Sequence, residues 1–261
     1  MLQKRSDGFH NIETVFYPVP LKDALEIVPF QTTQQLPTIN NYGLTVNGEA
    51  NNNLCIKAWH LLKKDFPELP AVQIHLLKNI PMGAGLGGGS ADSAFMLQLL
   101  NNKFHLGRSP EQLMQYALQL GSDCPFFIIN KPCVAAGRGE ILEPITINLS
   151  GYYLVMANPG IHFSTGQAFA ELNVNDSLMT PASLKQIIAQ PLENWRQLLI
   201  NDFEQPAFKK HPEVKALKET LYQLGAVYSA MSGSGSTVFG IFKNMGSWIN
   251  ALPAHCTMVE L

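Results

Sequence analysis

The sequence predicts an α+β fold whose C-terminal part is a ferredoxin-like, split βαβ domain. Three observations carry this reading. Val72, Ile74 and Leu76 alternate with Gln73 and His75, the period-2 mark of a strand, and lead through a glycine-rich stretch into the apolar run Ala94-Phe95-Met96-Leu97 and Leu99-Leu100, a buried helix. After residue 150 the elements follow as strand, helices, strand, strand, helix, strand, the order of a split βαβ domain. The style of the sequence also changes near Ser150, which divides the 261 residues into predicted domains 1–149 and 150–261.

Taken in order, Met1 to Gly8 reads as the turn after a strand, with Asp7-Gly8 as its signal, and Ile12, Val15 and Phe16 open an extended segment. Leu25 to Val28 is a strand, and Gln31 to Asn41, polar and without period, is predicted as a loop. Asn53 is placed to cap a helix with Leu54, Ala58, Leu61 and Leu62 on one face and Lys57, Lys63 and Lys64 on the other. Ser109, Pro110 and Gln112 announce a second helix, with Leu113, Ala117 and Leu120 on one face and Gly121 at its end. The apolar run Phe126 to Ile129 is expected as a strand with Asp123 at its mouth, and Gly137 to Glu140 as a turn between strands. Tyr153 to Met156 is a strand closed by Asn158-Pro159-Gly160, and Ser164-Thr165-Gly166 starts a helical region. Polar, helix-rich sequence continues to His211, and Val214, Leu217, Leu221 and Leu224 mark an amphipathic helix ended by Gly225. Strands at Val227–Met231 and Val238–Phe242, a short helix and a strand near Met258-Val259 complete the chain.

Composition narrows the function. An apolar fraction of 46% with 15% charged residues is that of a soluble globular chain, expected in the cytoplasm. A net charge of −2 leaves no electrostatic footprint for nucleic acid or an anionic membrane, so any phosphate binding must be local. Cys55, Cys124, Cys133 and Cys256 show neither a C-x-x-C pair nor histidines at zinc spacing, and read as reduced core thiols. The longest apolar runs fall far short of the roughly 20 residues of a spanning helix. A monomer or homodimer is expected.

The chemistry centres on Pro81 to Ala91, PMGAGLGGGSA. Gly83, Gly85, Gly87, Gly88, Gly89 and the small Ala84 leave the backbone N–H groups free to approach a ligand closely. The helix that follows offers orphan donors and a positive dipole end to an anion. A Walker loop would need lysine before Ser90, where Gly89 stands. Gly83, Gly85 and Gly88 have Rossmann spacing, but the expected second strand with its acid is replaced by Leu106-Gly107-Arg108-Ser109-Pro110. Ser90 is read as the N-cap of the helix, satisfying a backbone donor there.

Other side chains carry two readings. His10 either caps a turn carbonyl or bonds the edge of a pyrimidine stacked on Phe9. Lys78 reads locally as a solvated surface charge. Asp123 is a turn aspartate, or a carboxylate costly to desolvate without partners. Thr165 and Phe169 read as an N-cap and a core residue, and Arg138 as an exposed turn arginine.

The glycine loop, with Asp7-Gly8-Phe9-His10 and Leu120-Gly121-Ser122-Asp123-Cys124-Pro125, resembles the motifs of the GHMP kinases over nearly the whole chain. That resemblance implies a two-domain fold, with an N-terminal domain like domain 2 of ribosomal protein S5 and a ferredoxin-like C-terminal domain. It implies ATP and Mg2+ as cofactors and transfer of a phosphoryl group to the 2-hydroxyl of a cytidine diphosphate-linked sugar alcohol in non-mevalonate isoprenoid precursor synthesis. Pro81, Met82, Gly83, Ala84, Gly85, Leu86, Gly87, Gly88, Gly89, Ser90 and Ala91 would then bind ATP, with Asn53 and Lys78 near the base. Asp123 would be the general base, and Phe9, His10, Thr165 and Phe169 would hold the cytidyl substrate. The glycine-serine segment Ser232 to Ser236 resembles the family's third motif, whose hydroxyls would touch phosphate. No residue is assigned as a metal ligand. The family's first motif, a strand with a catalytic lysine, has no match here, so a truncated start or an impaired copy is expected. Mevalonate- or homoserine-type alcohols, or nucleotide binding without catalysis, stay open as alternatives.

Overall fold

A computed structural model describes residues 3–5, 8–30, 35–172, 184–252 and 256–261. Along the chain the strands and helices are β1 (Gln3–Lys4), β2 (His10–Asn11), β3 (Thr14–Phe16), β4 (Ala24–Pro29), β5 (Thr38–Gly43), α1 (Leu54–Asp65), β6 (Val72–Lys78) and α2 (Gly88–Lys103). Then come α3 (Pro110–Leu120), α4 (Cys124–Ile129), β7 (Cys133–Ala136), β8 (Ile141–Pro144), β9 (Tyr153–Ala157), α5 (Thr165–Ala170) and α6 (Leu184–Ile188). The last are α7 (Trp195–Leu198), α8 (Glu204–Lys210), α9 (Pro212–Gln223), β10 (Tyr228–Met231), β11 (Val238–Phe242) and β12 (Cys256–Glu260). They form two compact units, each discontinuous: Leu21–Met82 with Gly87–Lys131, and Met1–Pro20 with Gly83–Leu86 and Pro132–Leu261.

In the unit of residues 21–82 and 87–131, β6 is the central strand, antiparallel to β4 and parallel to β5, with Ile74 opposite both Ile27 and Ile39. Val72, Ile74 and Leu76 turn inward, as their alternation requires. With Trp59, Leu62, Leu97, Leu100 and Leu113 they make a core, each large side chain contributing about 1.5–3 kcal/mol by leaving water. α2 is the buried helix expected, with Ala94, Met96, Leu97 and Leu100 fully removed from solvent. Asn53 caps α1 through Oδ1, which accepts the Cys55 N–H at 2.9 Å. Ser109 and Gln112 close the capping box of α3 reciprocally. Two expectations are corrected. Part of the predicted loop Gln31–Asn41 is strand β5, hidden because TINNYG at the sheet edge shows little alternation. The apolar run after Asp123 is helix α4, which Pro125 favours in its first turn and Asn130, left-handed at φ 47°, ends. A run of six residues is too short to show its period.

In the other unit, β10-β11-β9-β12 is a four-stranded antiparallel sheet. Numbered within the domain this is the order 2-3-1-4, the ferredoxin-like arrangement expected. α9 packs on β10 and β11, with Val214, Leu221, Val238 and Phe242 in the core. β3-β7-β8 and the short pair β1-β2 complete the unit, and the expected short helix near 247–251 is a 3-10 turn.

Candidate active site

The N-cap of helix α2 is Gly87, a left-handed residue at φ 68°. Its first-turn donors therefore meet no capping side chain, the condition for holding an anion. Ser90, expected as the cap, is instead the third helical residue. The left-handed bend must come before the helix starts, and only glycine takes it cheaply. A Cβ on Gly87 would lie 2.8 Å from the Phe127 ring, and one on Gly88 2.9 Å from the Ile80 side chain, so the loop is packed from below.

Beneath that turn lies Lys78, 1% exposed, which corrects its reading as a surface charge. Its ammonium donates to Asp92 at 2.7 Å and to Asp23. Asp23 also accepts the N–H groups of Asn79 at 2.6 Å and Ile80 at 2.9 Å, and so shapes the exit from β6. Two carboxylates share one cation. Burial pushes Asp92 up to about 6, against the pull of Lys78. A pocket of about 220 Å³ opens beside this cluster, lined by Ile39, Asn53, Met82, Gly89, Lys78 and Asp92 among others. It brings together four residues that the sequence assigned to the nucleotide: Asn53, Lys78, Met82 and Gly89. Asp23 and Asp92 were not singled out in the sequence, since nothing local distinguishes an aspartate that will meet a buried lysine.

Asp123 stands at the N-cap position of α4 without capping it. Among the described residues it has no hydrogen-bond or ion-pair partner. Its side chain reaches solvent, yet the surrounding protein strips enough water from it to raise its pKa above the ordinary carboxylate value. α4 packs on α2, and the Ser93 hydroxyl donates to the Cys124 thiol at 3.3 Å, with Ser90 also bonded to that sulfur. The aspartate is thus next in sequence to a residue that touches the first turn of α2.

In the other unit, Ser232 donates its hydroxyl to the Gly85 carbonyl at 2.7 Å, and Thr237 N–H donates to Ala84 O at 3.2 Å. The approach is so close that a Cβ on Gly85, at φ +75°, would sit 2.1 Å from the Ser232 carbonyl oxygen. The third motif therefore braces the glycine loop. Its hydroxyls are engaged with protein: Ser234 lies 3.3 Å from the Thr165 hydroxyl, and Ser236 donates to Ile161 O. Asn201, which sequence reasoning missed, holds this motif by donating to Met231 O at 2.7 Å and Gly233 O at 2.8 Å. An Asn-Asp pair just before a helix was the only local signal.

His10 and Phe169 stack, ring centres 5.1 Å apart and planes 23° from parallel, so two residues 159 positions apart do form one aromatic group. Phe169 is half-buried, and its other neighbour is the edge of Phe203 at 4.9 Å. Thr165 opens α5, but the cap is Ser164. Phe9 stays 49% exposed, with the Arg138 guanidinium 4.6 Å from its ring centre. Arg138 is therefore not the exposed turn arginine expected. Asp7, before this segment, lies outside the described residues.

Among the described residues, no helix is long and apolar enough to cross a membrane, and no group of three or more His, Cys, Asp or Glu could hold a metal ion. A glycine stretch leading into a buried helix and a partnerless carboxylate beside that helix, together with a ferredoxin-like sheet in the other unit, are the parts of an ATP-dependent small-molecule kinase. Residues 53–131 match the GHMP kinases N terminal domain, and residues 182–252 match GHMP kinases C terminal. The 4-diphosphocytidyl-2-C-methyl-D-erythritol kinase of Bacteroides fragilis is 49% identical over 92% of this chain and 86% of its own length. That of Porphyromonas gingivalis is 42% identical over 98% and 92%. A crystal structure of 4-(cytidine 5'-diphospho)-2C-methyl-D-erythritol kinase, 29% identical, superposes with a TM-score of 0.74 over 92% of this chain and 84% of that one. Homoserine kinase from Cytophaga hutchinsonii, 15% identical, shares the fold at a TM-score of 0.69 over 95% and 93%. The chain belongs to the GHMP kinase family, in the 4-diphosphocytidyl-2-C-methyl-D-erythritol kinase branch.

Proposed function

We propose that the chain transfers the γ-phosphoryl group of ATP to the 2-hydroxyl of 4-diphosphocytidyl-2-C-methyl-D-erythritol. The observation that carries the reading is Asp123, a carboxylate without a partner and with a raised pKa, on a helix packed against the first turn of α2. A base that is neither ion-paired nor capping is available to a substrate hydroxyl. In this reading Gly83 to Ala91 cradle the phosphates through backbone donors, and the pocket lined by Asn53, Met82 and Lys78 takes the adenine. Asp123 accepts or orients the alcohol proton. His10, Phe9 and Phe169 hold the cytosine, with Thr165 near the substrate phosphates.

Magnesium fits this set as a phosphate-borne ion rather than a caged one. The Ser90 hydroxyl is a hard oxygen at the loop, and the ion ordinarily keeps waters and takes much of its coordination from substrate phosphates. It would supply neutralisation of the charge on the transferring group. Residues 1–149 then carry ATP, and residues 150–261 complete the substrate and loop contacts.

The test is a coupled ATPase assay on 4-diphosphocytidyl-2-C-methyl-D-erythritol, mevalonate and homoserine, with CMP as competitor. Turnover of the cytidyl alcohol alone, inhibited by CMP, is expected. Turnover of mevalonate or homoserine without CMP inhibition would overturn the assignment.

A further inference from the structure

The turn Gly137 to Glu140 is tied to the segment that carries Phe9 and His10. The Ile12 N–H donates to Gly137 O at 2.7 Å, and Arg138 lays its guanidinium on the Phe9 ring at 4.6 Å. Glu140 fixes that guanidinium in turn. One carboxylate oxygen accepts Arg138's own backbone N–H, and the other lies 3.6 Å from its Nε. Gly137 must be glycine for this, because a Cβ there would meet Glu140 Oε2 at 2.7 Å, and its φ of +70° disfavours other residues. The result is a phenyl ring held in place by a charge, with 49% of its surface in solvent. An aromatic ring anchored in this way offers its exposed part as a stacking surface that needs little further ordering.

We propose that Arg138 is a positioning residue for substrate specificity, acting through Phe9 to present a pre-set ring to the pyrimidine of the cytidyl substrate. The inference rests on the cytidyl reading of this segment and adds a residue to it. A ring already fixed in its bound orientation loses little conformational freedom when a base stacks on it, so the stack retains more of its binding energy. Phenylalanine without such backing would turn more freely.

The experiment compares the wild type with Arg138→Met, which keeps the bulk without the charge, and Arg138→Lys, which keeps the charge. CMP affinity is read by calorimetry, and KM for both substrates and kcat by the coupled assay. For Arg138→Met we expect CMP to bind about 5-fold more weakly and the KM of the cytidyl alcohol to rise to match, the size of a partly desolvated cation–π contact. KM for ATP, kcat and the thermal midpoint should stay at wild-type values. Arg138→Lys should recover most of the loss. Unchanged CMP affinity in Arg138→Met overturns the proposal, as does a parallel rise in the ATP KM with a lowered midpoint, which marks a merely structural role. Wild-type protein that ignores CMP overturns the cytidyl reading itself, a different failure from a wild type that binds CMP as well as its Met variant does.

Discussion

Lys78 and Asp92 form a buried ion pair, ammonium to carboxylate at 2.7 Å, directly beneath the start of α2. With Asp23 on the same ammonium, the cluster joins β6, the approach to β4 and α2 through charge rather than apolar packing. Removing the cation would strand two carboxylates inside the unit. Lys78→Met should therefore lower stability at neutral pH by about 3–5 kcal/mol, read by urea unfolding. A loss under about 1 kcal/mol would mean that the pair contributes little.

The same cluster makes stability depend on pH in a definite direction. Asp92 titrates at about 6 in the folded chain, against 3.8 for an ordinary aspartate. Between those values the folded state holds more protons than the unfolded one, so this group's contribution to stability is fully present below pH about 4 and is lost as pH rises through about 6. Asp92→Asn should flatten that part of the curve. Identical slopes for the two proteins between pH 4 and 7 would contradict it.

As the proposed base, Asp123 would act only in its ionised form. Because desolvation raises its pKa, the acid limb of the kcat/KM profile should lie above the usual carboxylate range. Asp123→Asn should lower kcat by about 10²- to 10⁴-fold and leave ATP affinity unchanged. Wild-type turnover in this variant would remove Asp123 from the mechanism.

Two glycines of the loop should respond in opposite ways. Gly85→Ala drives a methyl group toward the Ser232 carbonyl at 2.1 Å from a left-handed backbone, so a loss of about 1–3 kcal/mol and a higher KM for ATP are expected. At Gly89 the nearest atom to an added Cβ is 3.6 Å away, inside a helix that prefers alanine. Gly89→Ala should leave the thermal midpoint at or slightly above that of the wild type. Equal destabilisation in both would show that the brace from Ser232 has no special weight.

Phe169→Ala removes the partner of His10. Base–aromatic stacking is worth about 1–3 kcal/mol, so the KM of the cytidyl alcohol should rise roughly 5- to 150-fold. KM for ATP should not move. A rise in both would place Phe169 in the core rather than the substrate site.

Features written over a few neighbouring residues could be read directly. The cap at Asn53, the capping box of Ser109 and Gln112, the strand before the glycine loop and the antiparallel C-terminal sheet all follow from short-range spacing and periodicity. The resemblance assigned His10 and Phe169 to one ligand, but their direct stack was not legible, since nothing local joins residues 159 positions apart. Asp123 was legible as a costly carboxylate, but its helix was not, because six apolar residues fit either period.

What long-range packing settled was the fate of individual polar groups. Lys78 looked like a surface charge until Asp23, 55 residues away, and Asp92, 14 residues away, closed around it. Ser90 yielded the cap to Gly87, and the hydroxyls of Ser232, Ser234 and Ser236 went to protein partners. Arg138 found Phe9, and Asn201 found the carbonyls of Met231 and Gly233. Residue order sets dihedral preferences and hydrophobic period, which act over a few bonds. The environment of a charge or a hydrogen-bond donor depends on which distant atoms surround it, and those exist only once the chain has folded.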